Sequence, residues 1–157
     1  MHNEITWVEP PMTPLRDGRG PVFADDDRFK PTGWRRNADF GPPEYQWRSY
    51  AWRGEEVARM LISLRFSSHT SQTSVPAVMV WDFEVREDLR CSGDHIGTRI
   101  IEQFSDDFGD KEMYIGPTPK STSFWMRFGW PMCDCTNCCG RDFIVRPPLN
   151  PGGRRTR

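Results

Sequence analysis

The chain has 157 residues, with 21 Lys plus Arg set against 22 Asp plus Glu. That length points to one domain with a substantial core, and the near-cancelling charges exclude the overall electrostatic footprint of a nucleic-acid-binding protein. No stretch approaches the roughly 20 apolar residues of a membrane span, so no membrane partner is expected.

The first residues show no basic region followed by an apolar run, so no secretory leader is expected. Five cysteines, an odd number, with four at Cys133, Cys135, Cys138 and Cys139, do not read as a secreted disulfide framework. The expected location is the reducing cytoplasm. Fourteen prolines and seven tryptophans imply ordered, non-repetitive loops packed by large aromatic anchors.

Residues 1–44 show little periodicity. Ile5 to Val8 reads as a short strand closed by Pro10-Pro11, and Pro and Gly interrupt the remainder too often for a long helix. Trp7, Phe23, Phe29, Trp34 and Phe40 suggest an irregular segment packed onto the body. The run Asp25-Asp26-Asp27 reads as solvated surface, with recognition of a cationic substrate as the sharper alternative.

Regular structure follows. Tyr45 to Trp52, the turn Arg53-Gly54-Glu55 and Val57 to Ser67 predict a hairpin, with Ala58, Met60, Ile62, Leu64 and Phe66 on one face. A polar loop holds His69, read as exposed. Ala77 to Arg86 predicts the next strand, with Met79, Trp81, Phe83 and Val85 alternating against Val78, Val80, Asp82 and Glu84. Ile96, Ile100, Ile101, Phe104 and Phe108 fall at helical spacing, and Gly109 ends that helix. Met113 to Ile115 predicts a strand, Ser121 to Met126 a short helix capped by Ser121, and Phe143 to Val145 a last strand. Residues 1–146 are expected to form one domain and 147–157 a disordered basic tail.

Between the strand ending near Arg86 and the helix beginning near Ile96 lies a Gly-containing turn, Leu89 to Thr98. A helix start presents unpaired N–H groups and the positive end of the macrodipole, which suits a phosphate. A nucleotide-bearing cofactor is therefore expected at this turn.

From about Tyr45 to Val145 the sequence resembles the GNAT N-acetyltransferases, which transfer an acetyl group from acetyl-CoA to an amine. Three pieces carry the resemblance: Phe83-Glu84-Val85 followed by Arg90-Cys91-Ser92-Gly93, the helix opening Ile96-Gly97-Thr98-Arg99-Ile100-Ile101, and Ser123-Phe124-Trp125-Met126-Arg127-Phe128-Gly129-Trp130. Two features depart from the family pattern. The loop fits only with a two-residue shift that brings in His95, and Trp125 stands where the family often keeps an acidic tyrosine.

The resemblance implies an α/β fold of α+β character. A central mixed, mostly antiparallel sheet would carry a splayed strand pair and flanking helices, here with an atypical Pro/Gly-rich N-terminal segment. It implies acetyl-CoA as cosubstrate and a small-molecule or protein amine as acceptor. Phe83, Val85, Arg90, Gly93, Asp94, His95, Ile96, Gly97, Thr98, Phe124 and Trp125 become the cofactor-binding candidates. Asp82 and Glu84 become candidate bases, and Ser123 (or Ser121) a candidate acid.

The same residues leave two alternatives: an inactive acyl-CoA-binding module of this fold, or an interaction protein stapled by zinc on its cysteines. Cys133, Cys135 and Cys138 could offer three thiolates, with Cys91 or a histidine as fourth ligand, but buried thiols in a hairpin loop are the favoured reading and no metal is expected.

Overall fold

The computed structural model describes residues 4–16, 18–31, 34, 44–68, 76–135 and 142–149. Eight strands are present among them: β1 (Thr6–Val8), β2 (Met12–Leu15), β3 (Gly18–Pro21), β4 (Tyr45–Trp52), β5 (Glu55–Phe66), β6 (Ala77–Val85), β7 (Met113–Ile115) and β8 (Ile144–Arg146). Two α-helices join them, α1 (Ile96–Asp107) and α2 (Thr122–Met126), with a 3-10 turn at Glu87–Leu89. The main sheet has the order β1-β4-β5-β6-β7-β8. Every neighbouring pair is antiparallel except β6 and β7, the two strands that α1 connects.

The β4–β5 hairpin turns at Arg53 and Gly54, with φ of 53° and 80°. Two successive positive φ values give a turn whose twist matches the strands it joins, and glycine supplies one of them without a Cβ penalty. β5 is the longest strand, at 12 residues.

The alternation expected for β6 breaks at one residue. Leu61 pairs with Asp82 but Ile62 pairs with Val80, so Trp81 is an extra residue, a β-bulge. Val78 and Val80 belong to the core beneath α1, and beyond the bulge Phe83 and Val85 pack against that same core. Met79 and Trp81 go to the opposite face instead. A second irregularity between Ser63 and Phe66 moves Phe66 to that opposite cluster as well, away from Ala58, Met60 and Ile62. The single-face reading of both strands is corrected by these two bulges.

α1 lays Ile96, Ile100, Ile101 and Phe104 onto Met60, Ile62, Val78 and Val80. Each such side chain, fully buried, contributes about 1.5–3 kcal/mol, so this one face anchors the helix. Arg146 of β8 holds its far end, donating to the Phe108 carbonyl at 2.7 Å.

The other sheet face is covered by the N-terminal segment. Sequence periodicity missed its β2–β3 hairpin, because Pro14, Pro21, Gly18 and Gly20 occupy positions where alternation would otherwise be read. Past the hairpin, Phe23 and Trp34 pack with Trp47 and Leu61. Buried Arg59 binds this segment to β5: it donates to the Ala24 carbonyl at 2.7 Å and lies under the rings of Phe29 and Phe23. Phe40 and His69 lie outside the described residues. Beyond β8 the Leu149 N–H donates to the Gly109 carbonyl at 2.7 Å, and residues 150–157 lie outside the described residues.

Candidate active site

β7 is short and β6 is long, and this inequality makes the site. The two strands pair only over Val78–Val80 against Met113–Ile115. β6 continues to Val85, whereas Gly116-Pro117 follows directly on β7. Proline lacks the N–H that would extend the ladder. Beyond Val80 the strands part, leaving a slot of about 400 Å³. Such a volume lies within the usual range for small-ligand sites.

One wall of the slot is β6 from Val80 to Val85, and another is the loop and helix start carrying Thr118, Lys120 and Ser121. Phe83, Phe124 and Trp125 give an aromatic surface, with ring centroids 5.0–6.1 Å apart. Trp125 is only 4% exposed, so it is as much a core residue as a slot residue.

The turn into α1 is strained in a specific way. Cys91, Gly93 and His95 have φ of 61°, 87° and 54°. His95 is the N-cap, exposed and left-handed, and no side chain caps the helix start. The first helical bond is from the Arg99 N–H to the His95 carbonyl. Geometry therefore leaves the N–H groups of Ile96, Gly97 and Thr98 without intrahelical partners, at the positive end of the helix dipole. Asp94 is exposed and exchanges hydrogen bonds with the Ser92 hydroxyl.

Gly97 has a different reason for being glycine than close approach to a phosphate alone. A Cβ there would stand 3.2 Å from Val85 Cγ2 and 3.3 Å from Phe124 Cε2. Its missing side chain lets the start of α1, the end of β6 and α2 meet at the rim of the slot.

Asp82 and Glu84 share the β6 face opposite Phe83 and Val85, and both line the slot. Glu84 is heavily engaged. Its Oε1 accepts from the Lys30 backbone N–H at 2.7 Å and from Arg90 Nη2 at 3.3 Å, and its Oε2 accepts from Trp34 Nε1 at 3.3 Å. Arg90 also donates through Nε to the Val85 carbonyl at 2.8 Å, so its guanidinium straps the end of β6. Ser123 is exposed and is not among the slot-lining residues, whereas Ser121 is.

Ser121 does not cap α2 as expected. Its hydroxyl turns back to Thr118, accepting from that residue's N–H at 2.9 Å, and no side-chain cap bond is made. Pro117 and Pro119 flank Thr118, and the turn is closed by the Ser121 N–H donating to the Thr118 carbonyl at 2.9 Å, which keeps the two residues together.

Sequence reading missed Lys30 and Trp34 as slot residues, because they come from a segment with no periodicity. Cys133 and Cys135 lie apart from the slot lining, their sulfurs 3.2 Å from each other. No group of three metal-ligating side chains occurs among the described residues. Cys138 and Cys139 lie outside them. No helix among the described residues is long and apolar enough to cross a membrane.

A mostly antiparallel sheet with one parallel, diverging strand pair bridged by a helix is the fold of the GNAT acetyltransferases, and this chain has it. An acetyltransferase from Thermus thermophilus superposes with a TM-score of 0.50 and 18% identity, over 66% of this chain and 64% of that protein. The chain thus spans less than two thirds of the length of that acetyltransferase. The Bacillus subtilis N-acetyltransferase YlbP, solved in complex with coenzyme A, gives a TM-score of 0.47 and 19% identity, over 65% of this chain and 67% of that one. PaiA N-acetyltransferase from Thermoplasma acidophilum, also solved with coenzyme A, gives 0.43 and 12%, over 66% and 60%. At these identities the fold alone is common ground. No family model matches the sequence, and no curated protein matches it significantly.

Proposed function

We propose that this chain is an acetyl-CoA-dependent N-acetyltransferase acting on a primary amine in a cytoplasmic setting. The observation that carries the reading is the slot between diverging β6 and β7, two of whose lining residues, Val85 and Phe124, also pack against the uncapped start of α1 at Gly97. The residues fit the cosubstrate: a slot with an aromatic wall of Phe83, Phe124 and Trp125 suits a pantetheine arm, and unpaired amides at a helix start suit a pyrophosphate. Acetyl-CoA would supply an acyl carbon activated as a thioester, with a thiol as the leaving group.

The chain's own residues then have three tasks. Amides of Ile96, Gly97 and Thr98 hold phosphate, joined by the turn Gly93–His95 and by Arg90 once its guanidinium turns outward. Backbone groups of Phe83 to Val85 orient the arm, and a donor aimed at the thioester oxygen is worth about 2.7–4 kcal/mol. Asp82 takes the proton from the attacking amine.

The third task matters because of the amine. A lysine-type amine near pKa 10.4 costs about 4.6 kcal/mol to deprotonate at pH 7, and an α-amine near 7.8 only about 1 kcal/mol. Glu84 has the right position on the strand, but its oxygens already accept from Lys30, Trp34 and Arg90. Its role is to fix the acceptor side of the slot, and Asp82, on the same face of β6 and lining the same slot, is the proposed base. The thiol, with a reference pKa near 8.5, departs as thiolate at a cost of about 2 kcal/mol and takes its proton from solvent, so the tryptophan at 125 is tolerated; Ser121 is a slot hydroxyl that can hydrogen-bond the departing sulfur.

The specific observation for a second reading, an inactive acyl-CoA binder, is the burial of Trp125 where an acid would stand. One experiment separates the two. Acetyl-CoA binding is measured by calorimetry, then thiol release is followed with a panel of primary amines. Binding with amine-dependent release supports transfer; binding without release supports the inactive module; no binding at high micromolar acetyl-CoA contradicts both.

A further inference from the structure

The slot is not the only hollow on its side of the sheet. A second, wider one of about 1160 Å³ lies under the β2–β3 hairpin, and the two have Lys30 and Trp34 in common. These two residues therefore stand between the two hollows, on the face of β6 that carries Asp82 and Glu84.

The wall is held in place. Trp34 is 8% exposed, its carbonyl accepts from Trp47 Nε1 at 3.1 Å, and its ring meets Phe23 edge-on at 5.5 Å. Its own indole N–H is bound by Glu84 Oε2, and the same carboxylate binds the Lys30 backbone N–H. A large ring fixed at its edge, its face and its backbone has little freedom to yield, and overfilling a packed wall is unfavourable. The Lys30 side chain, in contrast, is exposed and holds nothing else in the fold among the described residues.

Resting on the acetyl-transfer reading, we propose that Trp34 and Lys30 determine acceptor specificity by setting an upper limit on the size of the amine. A small amine fits between this wall and Asp82, whereas a bulky one must reach across into the wider hollow and meets the Trp34 indole and the Lys30 stem. Truncating either residue joins the two spaces.

The test uses conjugates in which the CoA sulfur carries an acetyl link closed as an amide, once with methylamine and once with tryptamine, alongside CoA itself. Calorimetry on the full chain should show the tryptamide conjugate binding at least tenfold more weakly than the methylamide. Trp34→Ala and Lys30→Ala should each bring that ratio below threefold, each ratio being taken within the one variant so that any change in CoA affinity cancels. Lys30→Ala keeps the backbone bond to Glu84, so it carries the test even if Trp34→Ala unfolds. An unchanged ratio in Lys30→Ala, or a wild type that does not discriminate, overturns the size limit and leaves acetyl transfer standing. Failure of the wild type to bind CoA overturns both.

Discussion

Arg146 on the last strand donates from Nη2 to the Phe108 carbonyl at 2.7 Å, closing the C-terminal end of the helix whose other end is left uncapped at the slot. The guanidinium is almost wholly buried, and Nη1 also donates to the Pro147 carbonyl. Burial pushes its pKa down while Asp106 and Asp110 push it up. A cation at a helix C-terminus satisfies orphan carbonyls and complements the dipole. Arg146→Ala is expected to destabilise the fold by roughly 2–4 kcal/mol, since it leaves buried carbonyls unpaired. Urea unfolding checks this, and Arg146→Lys should recover only part of the loss.

Gly97 is the point where α1, β6 and α2 touch. Gly97→Val forces a branched side chain toward Val85 and Phe124, both within about 3.3 Å of the first added carbon. Overpacking of this kind costs about 1–3 kcal/mol. Thermal unfolding should show that loss, and calorimetry should show acetyl-CoA affinity falling by at least tenfold. A variant that melts early but binds normally would detach Gly97 from the site.

The neighbouring carboxylates are expected to separate by role. With a lysine-type acceptor, Asp82→Asn should lower kcat by about 10²–10⁴ at pH 7 and regain much of it near pH 10, where the amine deprotonates unaided. Glu84→Gln keeps an acceptor for the Trp34 or Lys30 N–H, so it should mainly raise KM for the amine. The pH–rate profiles of the two variants decide the assignment; a flat profile for Asp82→Asn would move the base elsewhere.

Stability should also respond to acid through the N-terminal segment. Hydrogen bonds donated by Arg28, chiefly from its guanidinium and then from its backbone N–H, bring Asp26 down to about pKa 2 from 3.8. Asp88, bonded chiefly by Arg86, is likewise lowered. A carboxylate whose folded pKa is depressed stabilises above its unfolded pKa and loses that contribution as pH falls toward its folded one. The wild-type melting temperature should therefore drop between about pH 4 and pH 2. Asp26→Asn should melt slightly lower at pH 7 and converge with wild type near pH 2. The pair is exposed, so the effect is small.

Much of the fold was legible because it is periodic. The alternation of Tyr45 to Trp52, the Arg53-Gly54 turn and the 3.6-residue spacing of Ile96 to Phe104 each correspond to an observed element. The bulge at Trp81 was not legible: an inserted residue keeps the strand's composition and changes only its phase, so the sequence still reads as unbroken alternation. The β2–β3 hairpin was hidden because its prolines and glycines also describe a loop. Buried Arg48, Arg59, Arg86 and Arg146 were invisible for another reason, since arginine is usually a surface residue and only its tertiary partners identify a buried one. On the site, the cluster from Asp82 to Val85 with Phe124 and Trp125 was readable from order along the chain. The wall formed by Lys30 and Trp34 was not, because it joins β6 from about 50 residues away.

The central claim is that a CoA thioester enters between β6 and β7 and rests its phosphates on the start of α1. Backbone amide NMR of the 15N-labelled chain during titration with acetyl-CoA tests it most directly. The account predicts the largest shifts at Ile96, Gly97 and Thr98, with a second group at Phe83, Glu84 and Val85. Saturable binding that leaves those six amides unmoved, or no binding at millimolar acetyl-CoA, would contradict it.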